Sequence, residues 1–198
     1  LIDCYTSLTG KSPLMPKKAY GLHLGTYSGG TWKHEDQTSD RYPVQLAEKM
    51  RSLGIPFDLM WLDSTWRKFK SGGNGASTFE WRETFDDPQK MFQKLEDMHV
   101  MAGLHVRGIV DNGDSLHLLD EAREAGALYP GAKKEGLINF FDCKASDWWL
   151  ENAVSKLADI GCRFLKTDVG SVLTVSSEVQ GEAALKAKSD HNLFPLAY

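Results

Sequence analysis

Arg163-Phe164-Leu165-Lys166-Thr167-Asp168-Val169-Gly170 is the stretch that decides how the rest of the chain is interpreted. Its apolar start follows a helix-like segment and a glycine, which predicts a short buried β-strand. In α/β proteins, the last side chains of such a strand reach the carboxyl-end rim of the sheet, where ligands bind. Asp168 is therefore the first candidate for chemistry.

The sequence around this strand repeats one strand-then-helix pattern. Three further strands are predicted at residues 19–25, 57–63 and 101–110, and a shorter extended segment at 137–141. Helices are predicted at 42–53, from Asp87-Pro88 to 98, at 115–125, at 148–160 behind Ser146 or Asp147, and weakly at 182–188. Gly10, Pro13 and Pro16 predict an irregular lead-in over residues 1–18, ahead of one partial (β/α) barrel over 19–198.

Four such units without an internal linker predict a parallel sheet with right-handed crossovers. A doubly wound sheet and a barrel both fit this pattern. Because no GxGxxG or Walker sequence follows a strand, the nucleotide-binding version is disfavoured. We therefore expect an α/β fold of the (β/α)8 TIM-barrel type. With 198 residues against the usual ~250, the chain would supply roughly the first four β/α units.

The composition limits the classes of partner that the chain is expected to bind. A net charge of −4 provides no electrostatic reason to expect nucleic acid or an anionic membrane, and no apolar run approaches the roughly 18 residues of a membrane span. The six Trp residues fit either a large core or a sugar-stacking cleft. Localisation stays open, since the chain opens on Leu1 and not on Met. The oligomeric state stays open as well.

Cysteine and histidine spacing predicts neither a metal site nor a cofactor. The three cysteines, Cys4, Cys143 and Cys162, show no CxxC spacing and are expected to be small buried hydrophobes. His23 and His105 sit in mid-strand, where a core histidine is expected. The sequence contains no Gly-x-Ser-x-Gly elbow, so a serine hydrolase is not expected.

Charged residues at strand ends are the informative ones. Asp63 ends the second strand, Arg107 and Asp111 follow the third, and Lys166 and Asp168 end the fourth. Such side chains are disfavoured in buried strands unless they are paired or functional, so their convergence on one rim predicts a polar active site.

Lys166 and Asp168 lie two residues apart and so share a face of their strand. A nearby cation lowers the pKa of a carboxyl, so Lys166 is expected to keep Asp168 ionised. An ionised, oriented carboxylate is what attack on the anomeric carbon of a sugar requires. The alternative is a Lys–Asp pair that only secures the end of the strand.

The same residues resemble a known family, glycoside hydrolase family 31, the α-glucosidase and α-xylosidase family. Phe164-Leu165-Lys166-Thr167-Asp168-Val169-Gly170 looks like its nucleophile motif. Further segments resemble the family in order and spacing over nearly the whole chain: Leu8 to Pro16, Trp61-Leu62-Asp63, Phe79-Glu80-Trp81, Phe85 to Pro88, Phe141-Asp142 and His191-Asn192-Leu193-Phe194.

The resemblance implies a (β/α)8 barrel that hydrolyses α-glycosides with retention of configuration. Asp168 would be the catalytic nucleophile, Asp63 would bind sugar hydroxyls, and Lys166 would flank the nucleophile. Arg107 falls where the family often has Asn or Asp and is taken as a substrate-binding candidate. Tyr27, Trp61, Trp66 and Trp81 are candidates to line the pocket, with core packing as the alternative for each.

Two departures from the family pattern leave alternatives open. The family commonly has Glu shortly after the nucleophile, whereas Ser171 follows Gly170 here, so an α-galactosidase-type specificity stays possible. A second carboxyl about 5 Å from the first must protonate the leaving group, and the acids after Asp168 (Glu178, Glu182 and Asp190) end no plausible strand.

The expected partners are therefore an α-glycoside and the remainder of the catalytic barrel, and these residues alone are expected to be inactive. Two alternatives are a half-barrel that self-associates and a carbohydrate-binding half-barrel without turnover.

Overall fold

Four parallel strands form one sheet in the order of the chain. The computed structural model describes residues 1–26, 38–68 and 77–198. Strands β1 (His23–Gly25), β2 (Leu59–Leu62), β3 (Met101–Arg107) and β4 (Phe164–Asp168) pair in the order β1-β2-β3-β4. Adjacent parallel strands in sequence order, each reached through helical crossovers, are the arrangement of a β/α-barrel wall. The predicted partial barrel is confirmed.

One helix precedes β1, and the others lie between the strands and after the last one. They are α1 (Ile2–Thr9), α2 (Arg41–Ser52), α3 (Pro88–Asp97), α4 (Leu118–Glu124), α5 (Cys143–Trp149), α6 (Ser155–Asp159) and α7 (Gly181–Ala197). A π-helical turn, Leu150–Val154, joins α5 to α6. As its Asp-Pro signal predicts, α3 begins behind Asp87, whose carboxylate accepts the Lys90 N–H at 2.9 Å.

Three segments differ from the sequence predictions. Helix α1 forms where an irregular lead-in was expected, because the breakers Gly10, Pro13 and Pro16 all lie beyond its last residue, and it buries none of its side chains. The helix expected at 148 starts earlier, since the Asp142 carboxylate caps Lys144 N–H at 2.9 Å. The weak helix and the apolar segment near the end form one helix, α7, with Pro195 inside it.

The three strands predicted at 19–25, 57–63 and 101–110 are all longer than the observed β1, β2 and β3. Residues 17–20 form a 3-10 turn before β1. Beyond β3, Ile109 makes only a single-residue bridge to Leu137, so the extended segment at 137–141 adds no full strand. The cysteine prediction was right only for Cys162, which is buried, because Cys4 and Cys143 are exposed. Burial raises the pKa of the Cys162 thiol to about 11, which makes it a poor nucleophile at neutral pH.

The strand register separates the sheet into an apolar face and a polar face. Met60, Ala102, Leu104 and Val106 alternate onto one face and belong to one buried cluster with residues of α2, α3 and α6. The opposite face carries Trp61, Gly103, His105, Arg107, Phe164, Lys166 and Asp168. The polar residues gather at the carboxyl end of that second face, where the strand-end argument places a site.

Glycines on the polar face leave room for large neighbours. A Cβ at Gly25 would lie 2.3 Å from the Trp61 ring. A Cβ at Gly103 would lie 2.5 Å from the carbonyl oxygen of Phe164, which belongs to the backbone and cannot rotate away. Both aromatic side chains can therefore lie across the neighbouring strand below the rim.

A buried carboxylate holds two rim loops together. Glu80, in the segment after β2, accepts backbone N–H groups from Asp114 (3.0 Å), Ser115 (2.6 Å) and Leu116 (2.6 Å) in the segment after β3. Burial works to raise the pKa of Glu80, but the three hydrogen bonds outweigh it and hold that pKa below the ordinary 4.5.

Among the described residues, no helix is long and apolar enough to span a bilayer.

We expect Glu80→Gln to lower the free energy of unfolding of the intact protein at pH 7 by about 2 kcal/mol, since three charge-assisted hydrogen bonds are weakened. The folded-state pKa of Glu80 is depressed, so the stabilisation is complete above pH 4.5 and is lost as the pH falls through the folded-state value. Denaturant unfolding of both proteins from pH 7 to pH 3 should show the difference shrink.

The matched control is Glu83→Gln, which alters an exposed carboxylate paired with Lys68 at 2.8 Å. A surface pair of this kind contributes about 0–1 kcal/mol. Equal losses in the two variants would contradict the role given to Glu80.

Candidate functional site

Asp168 lies at the carboxyl end of β4, within reach of three basic side chains. Its Oδ2 accepts a hydrogen bond from His105 Nε2 at 3.0 Å. Lys166 Nζ lies 3.7 Å and Arg107 Nη2 3.9 Å from the same oxygen. The other oxygen, Oδ1, accepts the backbone N–H of Val169 at 2.9 Å. The carboxylate is half-exposed and is oriented by contacts on both oxygens.

The register of β3 on β4 creates this cluster. Arg107 pairs with Asp168, and His105 pairs with Lys166 one step earlier. Since paired residues of parallel strands point to the same face, the four side chains form a two-by-two block. A shift of either strand by one residue would move its members of the block to the apolar face.

Lys166 bridges two carboxylates. Its Nζ lies 3.5 Å from Asp63 Oδ2 and 3.7 Å from Asp168 Oδ2, and 5.0 Å from the centre of the Trp61 ring. Asp63 follows β2 directly, accepts the Ser64 N–H at 2.6 Å through Oδ1 and is only 4% exposed in its side chain. The contact with Asp63 thus fixes the ammonium group beside the nucleophile candidate.

His105 is held from both sides by buried groups. Arg67 Nη1 lies 3.3 Å from its Nδ1, and the Trp66 indole N–H donates to its backbone carbonyl at 2.9 Å. Arg67, Trp66 and His105 are all essentially inaccessible to solvent. A guanidinium can only donate, and the other ring nitrogen, Nε2, faces Asp168.

Electrostatics keep Asp168 ionised and His105 neutral. Burial works to raise the pKa of Asp168, but the His105 hydrogen bond and the Lys166 charge outweigh it and hold that pKa below its usual range. For His105, burial is the largest influence and lowers its pKa; the bond to Asp168 opposes this, and the charge of Arg67 adds to the lowering. Burial lowers the pKa of Arg67 to about 10, which still leaves it charged at neutral pH.

The backbone after Asp168 is strained. Val169 has a φ of +64°, in the left-handed region that β-branched residues rarely occupy. The N–H of this residue donates to Oδ1 of Asp168 at 2.9 Å. Strain of this kind persists where the surrounding structure imposes it, and it clusters at functional sites.

The structure brings most of the predicted site residues together. Asp168, Lys166, Asp63, Arg107 and Trp61 lie in one group. Trp66 is instead fully buried against Trp81, with ring centres 4.6 Å apart, so it supports β3 from below and does not face the opening. Tyr27 lies outside the described residues.

Sequence reasoning missed three residues near Asp168. His105 is buried, as its mid-strand position predicts, but its contact with Asp168 was not predicted, although its spacing from Arg107 placed it on the face of a rim residue. Arg67 reaches the site from the turn after β2, and no pattern in the chain signalled it. The Tyr198 hydroxyl is buried beneath the rim, where burial and then the charge of Asp168 raise its pKa. Asp111, a predicted rim residue, accepts the N–H of its neighbour Asn112 and lies apart from the cluster.

Within the ranges that the structure describes, no three His, Cys, Asp or Glu side chains are grouped as metal ligands. The chemistry available to the group is that of an oriented carboxylate beside cations and a neutral donor. Such a group can act as a nucleophile or bind hydroxyls. In the described part of the group the second carboxylate is that of Asp63, whose Oδ1 accepts the Ser64 N–H and whose Oδ2 lies 3.5 Å from Lys166 Nζ.

We expect Lys166→Met to raise the pKa of Asp168, since the cation 3.7 Å away favours the ionised form. A carbon-13 NMR titration of the Asp168 carboxyl in the intact protein measures the shift. The control is Lys186→Met, which removes a lysine paired with Asp190, away from this site. An unchanged Asp168 titration in Lys166→Met would contradict the electrostatic role of Lys166.

Comparison with known proteins shows which family the chain is similar to. The family model described as "Glycosyl hydrolases family 31 TIM-barrel domain" matches residues 12–198. An alpha-glucosidase from Saccharolobus solfataricus is 25% identical over 162 residues, which cover 75% of this chain and 21% of that protein.

Solved structures show the same fold. A GH31 dextranase from Flavobacterium johnsoniae, complexed with glucose, matches 99% of this chain with a TM-score of 0.70 at 22% identity. A cycloalternan-degrading enzyme from Trueperella pyogenes, in complex with a covalent intermediate, matches 100% with a TM-score of 0.74 at 16% identity. The chain spans 24% and 30% of these two proteins. By the family match over residues 12–198, the chain belongs to the TIM-barrel domain of the glycosyl hydrolases family 31.

Proposed function

We propose that this chain supplies the nucleophile half of a retaining α-glycoside hydrolase, with Asp168 as the nucleophile. The observation that carries the proposal is the state of Asp168. It is a half-exposed carboxylate at the end of β4, with a depressed pKa and hydrogen bonds to both oxygens. Family membership and the similar alpha-glucosidase support the same reaction class.

In the first step, a carboxylate oxygen of Asp168 forms a bond to the anomeric carbon as the glycosidic C–O bond breaks. The leaving oxygen takes a proton from a second carboxyl group. In the second step, that group removes a proton from water, the water oxygen bonds to the anomeric carbon, and the Asp168 carboxylate is released. Two inversions return the original configuration.

We propose that the acid/base carboxyl comes from outside these 198 residues. Of the three acids after β4, Glu178 and Glu182 are exposed on the surface. Asp190 is buried and accepts the Tyr129 hydroxyl at 2.7 Å and Lys186, so it anchors α7. None of the three contacts the Asp168 group among the described residues, and these residues alone should be inactive.

The remainder of the barrel is the partner that this half requires. In the described residues, β1 and β4 are each paired on one side only. Unpaired strand edges are aggregation-prone, and barrels remove them by closure. Closure would also place further strand ends opposite Asp168, where the proton donor belongs.

Substrate binding is assigned to the groups around the nucleophile. Lys166 and Arg107 are partly exposed and can donate to sugar hydroxyls, and the half-buried Trp61 ring provides an apolar surface for a sugar face. Asp63 is almost covered, so its contribution to hydroxyl binding passes mainly through its contact with Lys166. The choice between α-glucoside and α-galactoside is left to a screen of nitrophenyl α-glycosides, because Gly170-Ser171 replaces the family's usual Glu-containing segment.

We expect a mechanism-based fluoroglycoside to label Asp168 in the intact protein, because the fluorine slows release of the glycosyl-enzyme more than its formation. Peptide mass spectrometry locates the label. Asp168→Ala should abolish labelling and lower kcat by several orders of magnitude. The matched control is Asp190→Asn, which alters a buried carboxylate away from the rim. In this variant Asp168 should still be labelled.

Labelling at another residue, or full activity in Asp168→Ala, would overturn the assignment. Sugar binding without turnover in a protein with a closed barrel would instead favour the carbohydrate-binding alternative. A two-fold assembly of this chain alone that hydrolyses glycosides would favour the self-associating half-barrel.

We also expect the intact protein to hydrolyse nitrophenyl α-glycosides and not the β-anomers, and to release the sugar first as its α-anomer. Double displacement requires this outcome, since each inversion reverses the other. Proton NMR of the fresh product distinguishes the anomers before mutarotation. First release of the β-anomer would show inversion and would exclude a covalent intermediate on Asp168.

A further inference from the structure

The structure assigns a positioning role to His105 and Arg67: we propose that Arg67 locks His105 as the neutral Nε2–H tautomer, which serves as a constant, uncharged hydrogen-bond donor to the nucleophile Asp168. The proposal rests on the proposed function, because it explains how that carboxylate is prepared for attack. Its test separates the two.

The geometry forms a continuous chain from the core to the rim. Ser64 O accepts from Arg67 Nη1 at 3.2 Å, and Arg67 Nη1 also lies 3.3 Å from His105 Nδ1. His105 Nε2 then donates to Asp168 Oδ2 at 3.0 Å. This series of contacts runs from the turn after β2, through β3, to β4.

The tautomer follows from which groups can donate. Arg67 has no acceptor, so Nδ1 of His105 must carry the lone pair in this contact. A proton on Nδ1 would place two N–H groups against each other inside the core. The proton that His105 carries therefore sits on Nε2, where a carboxylate oxygen receives it.

Burial makes the arrangement stable. His105 is 1% exposed and Arg67 is fully covered. The Trp66 indole N–H holds the His105 backbone carbonyl at 2.9 Å, and this limits movement of β3 at that residue. Burial is the largest influence that lowers the pKa of His105, and the charge of Arg67 adds to it, because a second proton would put an imidazolium in the core against a buried guanidinium.

The charges that face His105 come from all three neighbouring elements. They are Arg67 and Asp63 from β2 and its turn, Arg107 from its own strand, and Lys166 and Asp168 from β4; the Tyr198 phenol lies beneath the rim. Lys166 and Arg107 already supply positive charge to Asp168. A third cation at His105 would further lower the nucleophilicity of the carboxylate, whereas a neutral donor orients it without that loss.

The role predicts different outcomes for two substitutions of His105. In His105→Gln, the amide carries a donor near the position of Nε2 and an acceptor for Arg67, and it is uncharged at every pH. We expect kcat within about tenfold of the parent. His105→Leu removes the donor, and we expect a loss of about 100-fold in kcat, with KM within threefold.

The pH profile separates positioning from a structural role. Because His105 lowers the pKa of Asp168, its removal in His105→Leu should move the acid limb of kcat/KM to higher pH. In His105→Gln the limb should stay near that of the parent. The control is His23→Gln, which alters an exposed histidine of β1 whose Nε2 lies 3.0 Å from the Ala19 carbonyl oxygen, and it should leave both kcat and the profile unchanged.

Nitrogen-15 NMR tests the tautomer without any reference to activity. In the parent protein at neutral pH, His105 should show one protonated and one unprotonated ring nitrogen, with Nε2 the protonated one. In Arg67→Met the lock is removed, and the imidazolium form should appear at higher pH than in the parent.

The proposal fails if His105 is an imidazolium at neutral pH, if the proton sits on Nδ1, or if folded His105→Gln and His105→Leu lose activity equally. These results would leave the proposed function intact as long as Asp168 is labelled. If Asp168→Ala keeps full activity, the proposed function fails, whatever the tautomer. Circular dichroism and thermal unfolding establish that each variant is folded before it is compared.

Discussion

The register between β3 and β4 is the constraint on which the rest of the site depends. It places His105 beside Lys166 and Arg107 beside Asp168, all on the face away from the apolar cluster. Each of these side chains would be costly to bury alone, because a charge taken from water needs a partner. In register, each polar group meets a complementary one, so the pairing that builds the sheet also satisfies the charges at its rim.

The elements around this pair of strands hold the register in place. Trp66 ties β3 to the turn after β2 through the carbonyl of His105, and Glu80 ties the following loops together through three backbone N–H groups. Gly103 allows the close approach of the Phe164 carbonyl. Small residues, one buried indole and one buried carboxylate thus set the distances at which the rim groups act.

The basic groups around Asp168 differ in their exposure to solvent. Lys166 and Arg107 are partly exposed and lie 3.7 and 3.9 Å from Asp168, so they can exchange contacts with a bound ligand. His105 and Arg67 are sealed in the core and cannot. A carboxylate with fixed donors on one side and adjustable cations on the other is oriented before substrate arrives, which is how preorganised sites avoid reorganisation during reaction.

Local patterns in the sequence predict the four strand-and-helix units, their parallel order and the strand end that carries Asp168, because apolar runs, caps and glycines act locally. The Asp87-Pro88 start of α3 was correct for that reason, and the start of α5 was wrong because Asp142 caps further upstream than the apolar pattern begins. The family motifs named Asp168, Asp63 and Lys166, whose roles stay predictions.

The three-dimensional structure was needed to show that His105 faces Asp168, that Arg67 lies against Nδ1 of His105, and that Trp66 supports the strand from the core. These contacts join residues 38 to 63 positions apart, and they follow from strand register and burial, which no local pattern encodes.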